Sequence, residues 1–375
     1  MVVWKEENIR FLACVLSKKK EEAMTIRVAI NGFGRIGRDV VRGIFERDHV
    51  DFDLVCINWR GKNTKQPATD GGHHDADDLK KMAHLLKYDT VYRRFEKEVD
   101  IWEDGLVIDG KKIRVTDRDD PKDLPWKDLK VDLVIDSTGA FNTREGGEKH
   151  LAAGAKKVVF TAPVKGEDIT IVMGVNDQDY DPAKHDIISN ASCTTNCLAP
   201  ITKVILDEFG IERGLMTTVH AYTNDQNIQD NRHKKDMRRA RAGAENIIPT
   251  TTGAAKAVGK VIPEVEGKLT GFALRVPVPT GSIVDVTFEL SREASVEEIN
   301  KAIKDASENA YKGIIAYTDE PIVSSDIIKD PCSSIFDSEL TLVKDRLVKL
   351  VSWYDNEWGY SQRVIDLTEK VANSL

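Results

Sequence analysis

Residues 25–48 read TIRVAINGFGRIGRDVVRGIFERD. The stretch from Thr25 to Ile30 is rich in β-branched and apolar residues, as a buried strand requires. Val40, Val41 and Ile44 then recur at helical spacing, with Ile36 and Gly37 leading into the stripe. Between strand and helix stands Gly32-Phe33-Gly34-Arg35-Ile36-Gly37. Each glycine has its own physical task there. The first permits the tight turn, the second lets backbone approach a pyrophosphate, and the third lets helix and strand pack closely. The helix N-terminus, with its unpaired N–H groups, faces the anion. DLVCIN, residues 53–58, supplies the next strand, so the chain opens as a βαβ unit with a parallel sheet and a right-handed crossover. The pattern predicts dinucleotide binding; the plain alternative is a glycine turn with no ligand.

A dinucleotide site of this kind places an acidic residue about 20 residues further on, at the end of the second strand, to hold the ribose 2′-hydroxyl. Here Trp59 and Arg60 stand in that place. A carboxylate there would repel a 2′-phosphate and an arginine would attract one. The departure therefore tilts the expected cofactor towards NADP, or towards relaxed choice between NAD and NADP. The other reading is that an acid such as Asp75 or Asp77 takes over the ribose contact.

The chain has 375 residues, 41% hydrophobic and 31% charged, with a formal net charge of −8. That length exceeds what one core usually supports, which predicts two domains. Residues 59–78 are almost without aliphatic side chains and far exceed the roughly 2–6 residues of an ordinary βα connection, which reads as a surface insertion. DLVIDSTGAF and KKVVFTAP read as further buried strands, joined by a helix in NTREGGEKHLAAGA with Asn142 and Glu145 spaced as a capping box. After about Ser192 the strands lengthen and alternate, as in GLMTTVHAYT, LTGFALRVPV and GSIVDVTFEL; a helix follows, with Ser295 and Glu298 as its capping box. The expected fold is α/β: a Rossmann-type domain over 25–192, then an α+β catalytic domain with a mostly antiparallel sheet over 193–357. Residues 1–24 form an extension of unknown role.

No apolar run approaches the roughly 18 residues of a membrane span. Five cysteines (Cys14, Cys56, Cys193, Cys197, Cys332) at irregular spacing argue against a disulfide scaffold and for a reducing cytoplasm. The acidic balance does not favour nucleic acid as a main partner. His73 and His74 beside Asp75, Asp77 and Asp78 could suggest a metal, but adjacent histidines on a glycine-flanked loop read better as exposed polar residues, so no metal is expected.

The chemistry concentrates in ASCTTNCLAP, residues 191–200. Cys197, Ile201, Val204, Ile205 and Phe209 follow helical spacing, which puts Cys193 at a helix N-terminus directly after Ser192. Unpaired N–H groups there stabilise thiolate and can serve an oxyanion. Cys197, one turn deeper, reads as a small buried residue, and Pro200 should distort the helix slightly. His220 ends an apolar strand in TTVHAYTND, a place where an imidazole can meet a thiol. HKKDMRRARAG, residues 233–243, is strongly basic. It reads as a solvated loop, a nucleic-acid patch, or a phosphate pocket sharing hydroxyls of PTTTGAA and the isolated Arg275.

With AINGFGRIGR, HLLKYD, ASCTTNCLAP, HAYTNDQ, RRARAGAENIIPTTTGAAKAVG and WYDNEWGYS, the chain from about Thr25 to its C-terminus resembles the phosphorylating glyceraldehyde-3-phosphate dehydrogenases. The resemblance implies Cys193 as nucleophile and His220 as its base. It implies Thr223 and Arg275 around the substrate phosphate, and Ser192, Thr194, Thr252, Gly253 and Arg239 around attacking inorganic phosphate. It implies cofactor contacts from Gly32, Gly34, Arg35, Ile36, Gly37, Arg118, Thr161 and Asn356, the last holding the nicotinamide amide. The final helix, 358–375, is expected to return to the first domain, and the assembly is expected to be a homotetramer with the 221–244 loop near a neighbour's cofactor. Two alternatives are erythrose-4-phosphate dehydrogenase, which shares the thiol chemistry, and an inactive dinucleotide-binding scaffold.

Overall fold

The computed structural model describes residues 25–60, 75–233 and 236–375. The predicted extension 1–24 and the central part of the predicted insertion, 61–74, lie outside the described residues, as do His73 and His74.

The first half runs β1 (Ile26–Asn31), α1 (Arg35–Glu46), β2 (Phe52–Asn58), α2 (Ala76–Lys87), the small hairpin β3 (Tyr88–Asp89) and β4 (Arg93–Arg94), then β5 (Val99–Trp102), β6 (Gly105–Ile108) and β7 (Lys111–Thr116). It continues with β8 (Leu133–Asp136), α3 (Arg144–Ala152), β9 (Lys157–Phe160), β10 (Ile169–Thr170) and β11 (Ile187–Ser189). The sheet order is β10-β11-β9-β8-β1-β2-β7-β6-β5. The strands from β10 to β7 pair in parallel, and β6 and β5 close that edge as an antiparallel meander. From β1 the chain goes one way through β2 and the other way to β8. The carboxyl ends of β1 and β8 therefore bound a topological switch point, where open α/β sheets bind ligands. Both faces of the sheet are covered. One packs α1, α2 and the C-terminal helix around Val28, Ile30, Leu54 and Ile135, and the other packs Trp126, Val134, Val158 and Phe160.

The second half runs α4 (Cys193–Phe209), β12 (Ile211–Ala221), β13 (Ile248–Thr251), α5 (Ala254–Val261), β14 (Leu269–Val276), β15 (Ser282–Leu290), α6 (Val296–Glu308), β16 (Ile315–Thr318), β17 (Ser334–Asp337), β18 (Leu342–Lys344), β19 (Leu347–Tyr354) and α7 (Trp358–Ala372). Its sheet, ordered β13-β14-β12-β15-β19-β17-β16 with β18 beside β19, is mostly antiparallel; β12–β14 and β16–β17 pair in parallel. β15 alternates buried and half-buried residues along its whole length, the signature of one-face burial. α4 continues through Pro200 without a break, because the residues around it (Cys197 to Ile201) are all buried and their packing outweighs the lost N–H bond. α7 lays Val364, Ile365, Leu367 and Val371 into the first-half core against α1. Full burial of each such side chain stabilises by about 1.5–3 kcal/mol.

Two local expectations change. Asp75 is the N-cap of α2, its carboxylate accepting from Asp78 N–H, and Asp77 and Asp78 lie in the first helical turn. The insertion therefore ends before them: acids in the first turn complement the helix dipole and extend α2 backwards. In the helix after Phe141 the cap is Thr143, whose hydroxyl accepts from Gly146 N–H, and not Asn142. Thr is also a favoured N-cap residue, and the turn from Phe141 places Thr143 there. The Ser295–Glu298 capping box forms as expected.

Candidate active site

The glycine turn sits at the switch point. Gly32 has a φ of +105°, a region that favours glycine, and its N–H donates to Asn58 O across the β1–β2 seam. A Cβ on Gly37 would stand 2.3 Å from Gly32 O, so only glycine lets α1 approach the turn this closely. Gly34 is different: a Cβ there would meet nothing within 4 Å. It caps α1 with no side-chain hydrogen bond, which leaves the backbone N–H groups at the helix start open to an anion. An open cradle above a strained turn and a helix N-terminus fits a dinucleotide pyrophosphate.

Of the predicted cofactor contacts, Arg35 and Ile36 are the first two residues of α1. The Arg35 guanidinium is already engaged: it bonds Asp89 at 2.7 Å and both oxygens of Glu357 at 2.7 Å. Burial opposes its charge, but Glu357 and Asp89 hold it and raise its pKa overall. With its guanidinium so engaged, Arg35 presents its backbone at the start of α1. Thr161 follows β9 with its N–H on Asp136 O. Arg118 lies across the crevice, its N–H and C=O both held by the Asn58 carboxamide. A cavity of about 200 Å³ opens there, lined by Asn31, Gly32, Asn58, Arg60, Arg118 and Thr138 among others. At its rim Arg60 pairs with Asp119 at 2.7 Å, both side chains largely exposed. An acid thus stands beside the arginine, supplied from the Arg118 segment and not from the second strand.

Cys193 opens α4 with Ser192 as its N-cap; the Ser192 hydroxyl accepts from Thr195 N–H. Cys193 Sγ lies 3.5 Å from His220 Nε2, at the end of β12. His220 Nδ1 lies 2.7 Å from Ala221 O, which can only accept, and 2.8 Å from Arg275 Nη1, which can only donate, while Nε2 faces the thiol. Burial and then Arg275 depress the imidazole pKa to about 3. Burial pushes the Cys193 thiol up, while Arg275 pulls it back. The helix terminus alone predicts a lowered thiol; desolvation in this half-buried pocket outweighs it. Cys197 is fully buried and its thiol is pushed up to about 12.

Arg275, on β14, donates to Ala221 O at 2.9 Å and to Thr223 Oγ at 3.2 Å. Among the described residues its Nε is buried without a partner, a positive group with unused donor capacity. Arg239 donates to Thr250 Oγ at 2.9 Å and to Asp225 at 2.5 Å, and Thr223 also bonds Asp225. Asp225 therefore ties two predicted anion-binding side chains to one carboxylate. Hydrogen bonding from Thr223 and the charges of Arg239 and Arg275 overcome its burial and lower its pKa. Sequence reasoning missed this residue, although it lies within the HAYTNDQ motif. Thr252 and Gly253 stand at the start of α5, with Thr252 Oγ accepting from Ala254 N–H and open space above Gly253. The Thr194 hydroxyl is bonded to Tyr354 OH at 2.8 Å, which leaves its backbone as the group free to face a ligand.

Tyr354 is the second residue that sequence reasoning missed. Its hydroxyl bridges Thr194 and Thr218, and its ring stands edge-on to His220 with centroids 5.9 Å apart. Asn356, two residues on, accepts at Oδ1 from Ser282 at 2.8 Å and Thr280 at 3.3 Å. Ser282 also accepts from Ala221 N–H, so one hydroxyl links the end of the His220 strand to Asn356. With Oδ1 so occupied, the amide nitrogen of Asn356 is the group left to face a ligand. Among the described residues no cluster of three or more metal-ligating side chains occurs.

The model of the glyceraldehyde 3-phosphate dehydrogenase C-terminal domain matches residues 192–356, and that of the NAD-binding domain matches residues 73–144. Glyceraldehyde-3-phosphate dehydrogenase 2 of Streptomyces avermitilis is 54% identical over 353 residues, covering 94% of this chain and all of the relative. The glyceraldehyde-3-phosphate dehydrogenases of Streptomyces coelicolor and Mycobacterium avium are each 55% identical over the same share of both chains. The chain, a nicotinamide-dinucleotide oxidoreductase with a Rossmann-type and an α+β domain, belongs to the glyceraldehyde-3-phosphate dehydrogenase family.

Proposed function

We propose that this chain oxidises glyceraldehyde 3-phosphate to 1,3-bisphosphoglycerate, with Cys193 as nucleophile and His220 as its base. The observation that carries the reading is the contact of Cys193 Sγ with Nε2 of His220 beside Arg275. The thiol adds to the aldehyde while His220 Nε2 takes the thiol proton, and the N–H groups at the start of α4 face the new oxyanion. His220 returns that proton to the oxyanion, giving the thiohemiacetal, and takes it back from the hydroxyl as hydride leaves its carbon. The bound dinucleotide, held by the glycine turn and Asn356, supplies the hydride acceptor. Inorganic phosphate, held by Arg239, Thr252, Gly253, Ser192 and Thr194, attacks the thioester and releases the Cys193 thiolate. Thr223 and Arg275 hold the substrate phosphate. Mass spectrometry of enzyme mixed with aldehyde and dinucleotide, without phosphate, should find an acyl group on the Cys193 peptide; an unmodified peptide would overturn the reading.

The cofactor choice is relaxed, with a tilt to NADP. Arg60 can accept a 2′-phosphate once it leaves Asp119, while Asp119 can accept a ribose hydroxyl. The protein works as a cytoplasmic homotetramer, with no membrane partner and no nucleic acid as main partner. Supporting the assembly, Leu215, Phe272 and Leu347 stand exposed on the second sheet, and Ile228 and Met237 on the 221–244 segment. Light scattering should give four times the chain mass. The curated relatives carry the triose name, which favours the triose over the erythrose substrate, and retention of Cys193 and His220 speaks against an inactive scaffold.

A further inference from the structure

A hydrogen-bond chain crosses the floor of the dinucleotide crevice beneath the glycine turn. Trp126, fully buried, donates Nε1–H to His150 Nδ1 at 3.0 Å. Indole is a donor only, so His150 must accept at Nδ1 and carry its proton on Nε2. That proton goes to Asp136 Oδ2 at 3.0 Å. The same oxygen accepts from Asn31 Nδ2 at 2.9 Å, while Oδ1 accepts from the N–H and hydroxyl of Thr138 at 3.0 and 2.7 Å. Asn31 Oδ1 accepts from Asn58 Nδ2 at 2.8 Å, and the Asn58 carboxamide grips the Arg118 backbone.

Asn31, Asn58 and Asp136 are the last residues of β1, β2 and β8, the three strand ends that define the crevice. All three side chains are buried, and His150 is fully so. The Trp126 N–H, which cannot be reversed, fixes the His150 tautomer, and the Asp136 carboxylate, which only accepts, fixes the directions at Asn31 and Asn58. The chain then surfaces at Asn31, Asn58, Arg118 and Thr138, which line the cavity. Buried polar networks of this kind are costly when incomplete and rigid when fully satisfied.

We propose that His150 is a positioning residue for the dinucleotide: through Asp136, Asn31 and Asn58 it fixes the spacing between the Gly32 turn, Thr138 and the Arg118 backbone. It touches no ligand itself. The inference rests on the dinucleotide-binding domain and not on the identity of the aldehyde. A missing aldehyde activity would therefore leave it intact.

The test is a double-mutant cycle on the full chain, read as the dissociation constant for NADH and NADPH by fluorescence, with Tm measured alongside. His150→Phe keeps a ring over Trp126 and removes both ends of the relay. Asn58→Ala breaks the chain at the cavity. The two residues do not touch, yet each variant should weaken dinucleotide binding at least five-fold, and the double variant should be little weaker than the worse single one. Thr138→Val, which removes only one hydroxyl near the rim, should weaken binding about three-fold and covers the case in which the buried variants fail to fold. A lower Tm with unchanged dissociation constants, strictly multiplicative losses in the double variant, or unchanged binding in Thr138→Val would each overturn the proposal.

Discussion

Cys193 Sγ and His220 Nε2 are 3.5 Å apart, and Arg275 stands against both groups, favouring thiolate on one and the neutral ring on the other. Burial opposes the thiolate more strongly than Arg275 supports it, so the free thiol titrates above its ordinary 9.0. Alkylation of Cys193 should therefore be slow at pH 7 and still rising about tenfold per pH unit at pH 8. Arg275→Leu removes the cation and should move this limb to higher pH, slowing alkylation at any fixed pH below it. A plateau below pH 7 in the unmodified enzyme would contradict this.

His220 should also mark acid stability. Its folded pKa, about 3, lies below the ordinary 6.5, so the unfolded chain takes up a proton that the folded one refuses. Stability from this group is present above pH 6.5 and is lost as pH falls from 6.5 towards 3. His220→Gln should flatten urea-unfolding stability across that window by several kcal/mol relative to the parent. The same variant should lose on the order of 10²–10⁴ in kcat, the usual contribution of a positioned base.

Two glycines separate cofactor affinity from folding. Gly37→Ala forces a Cβ to within 2.3 Å of Gly32 O and should lower Tm markedly. Gly34→Ala meets open space, so Tm should hold while the methyl intrudes on the proposed pyrophosphate cradle. Dinucleotide affinity should fall about tenfold, some 1.4 kcal/mol. Calorimetric titration and melting of both variants check the contrast.

Arg60 should set the cofactor ratio. Arg60→Ala removes the ion-pair partner of Asp119 and leaves an acid alone at the proposed ribose subsite. The ratio of kcat/KM for NADP over NAD should drop at least tenfold, mostly through a higher KM for NADP. An unchanged ratio would place the discrimination elsewhere.

The parts of this fold that were legible in sequence are those whose physics is local. The Gly32–Gly37 turn, Ser192 capping the helix of Cys193, and the Ser295–Glu298 box each depend on residues within one turn of chain. Thr143 in place of Asn142 shows how finely a cap depends on the preceding turn, which no spacing rule carries. The misses are long-range. Asp119 meets Arg60 across 59 positions and Tyr354 meets Thr194 across 160, so only the folded sheets bring them together. The raised Cys193 thiol has the same origin: the helix start is local, but the burial that overrides it comes from the whole pocket.

The most direct test of the account is the initial rate of dinucleotide reduction with glyceraldehyde 3-phosphate, measured with and without inorganic phosphate, for the parent and for Cys193→Ser. Steady turnover should require phosphate, and without phosphate a burst of about one reduced dinucleotide per chain should appear, the mark of a stalled acyl-enzyme. Cys193→Ser should show neither. Steady turnover independent of phosphate, or undiminished turnover in Cys193→Ser, would contradict a thioester on Cys193.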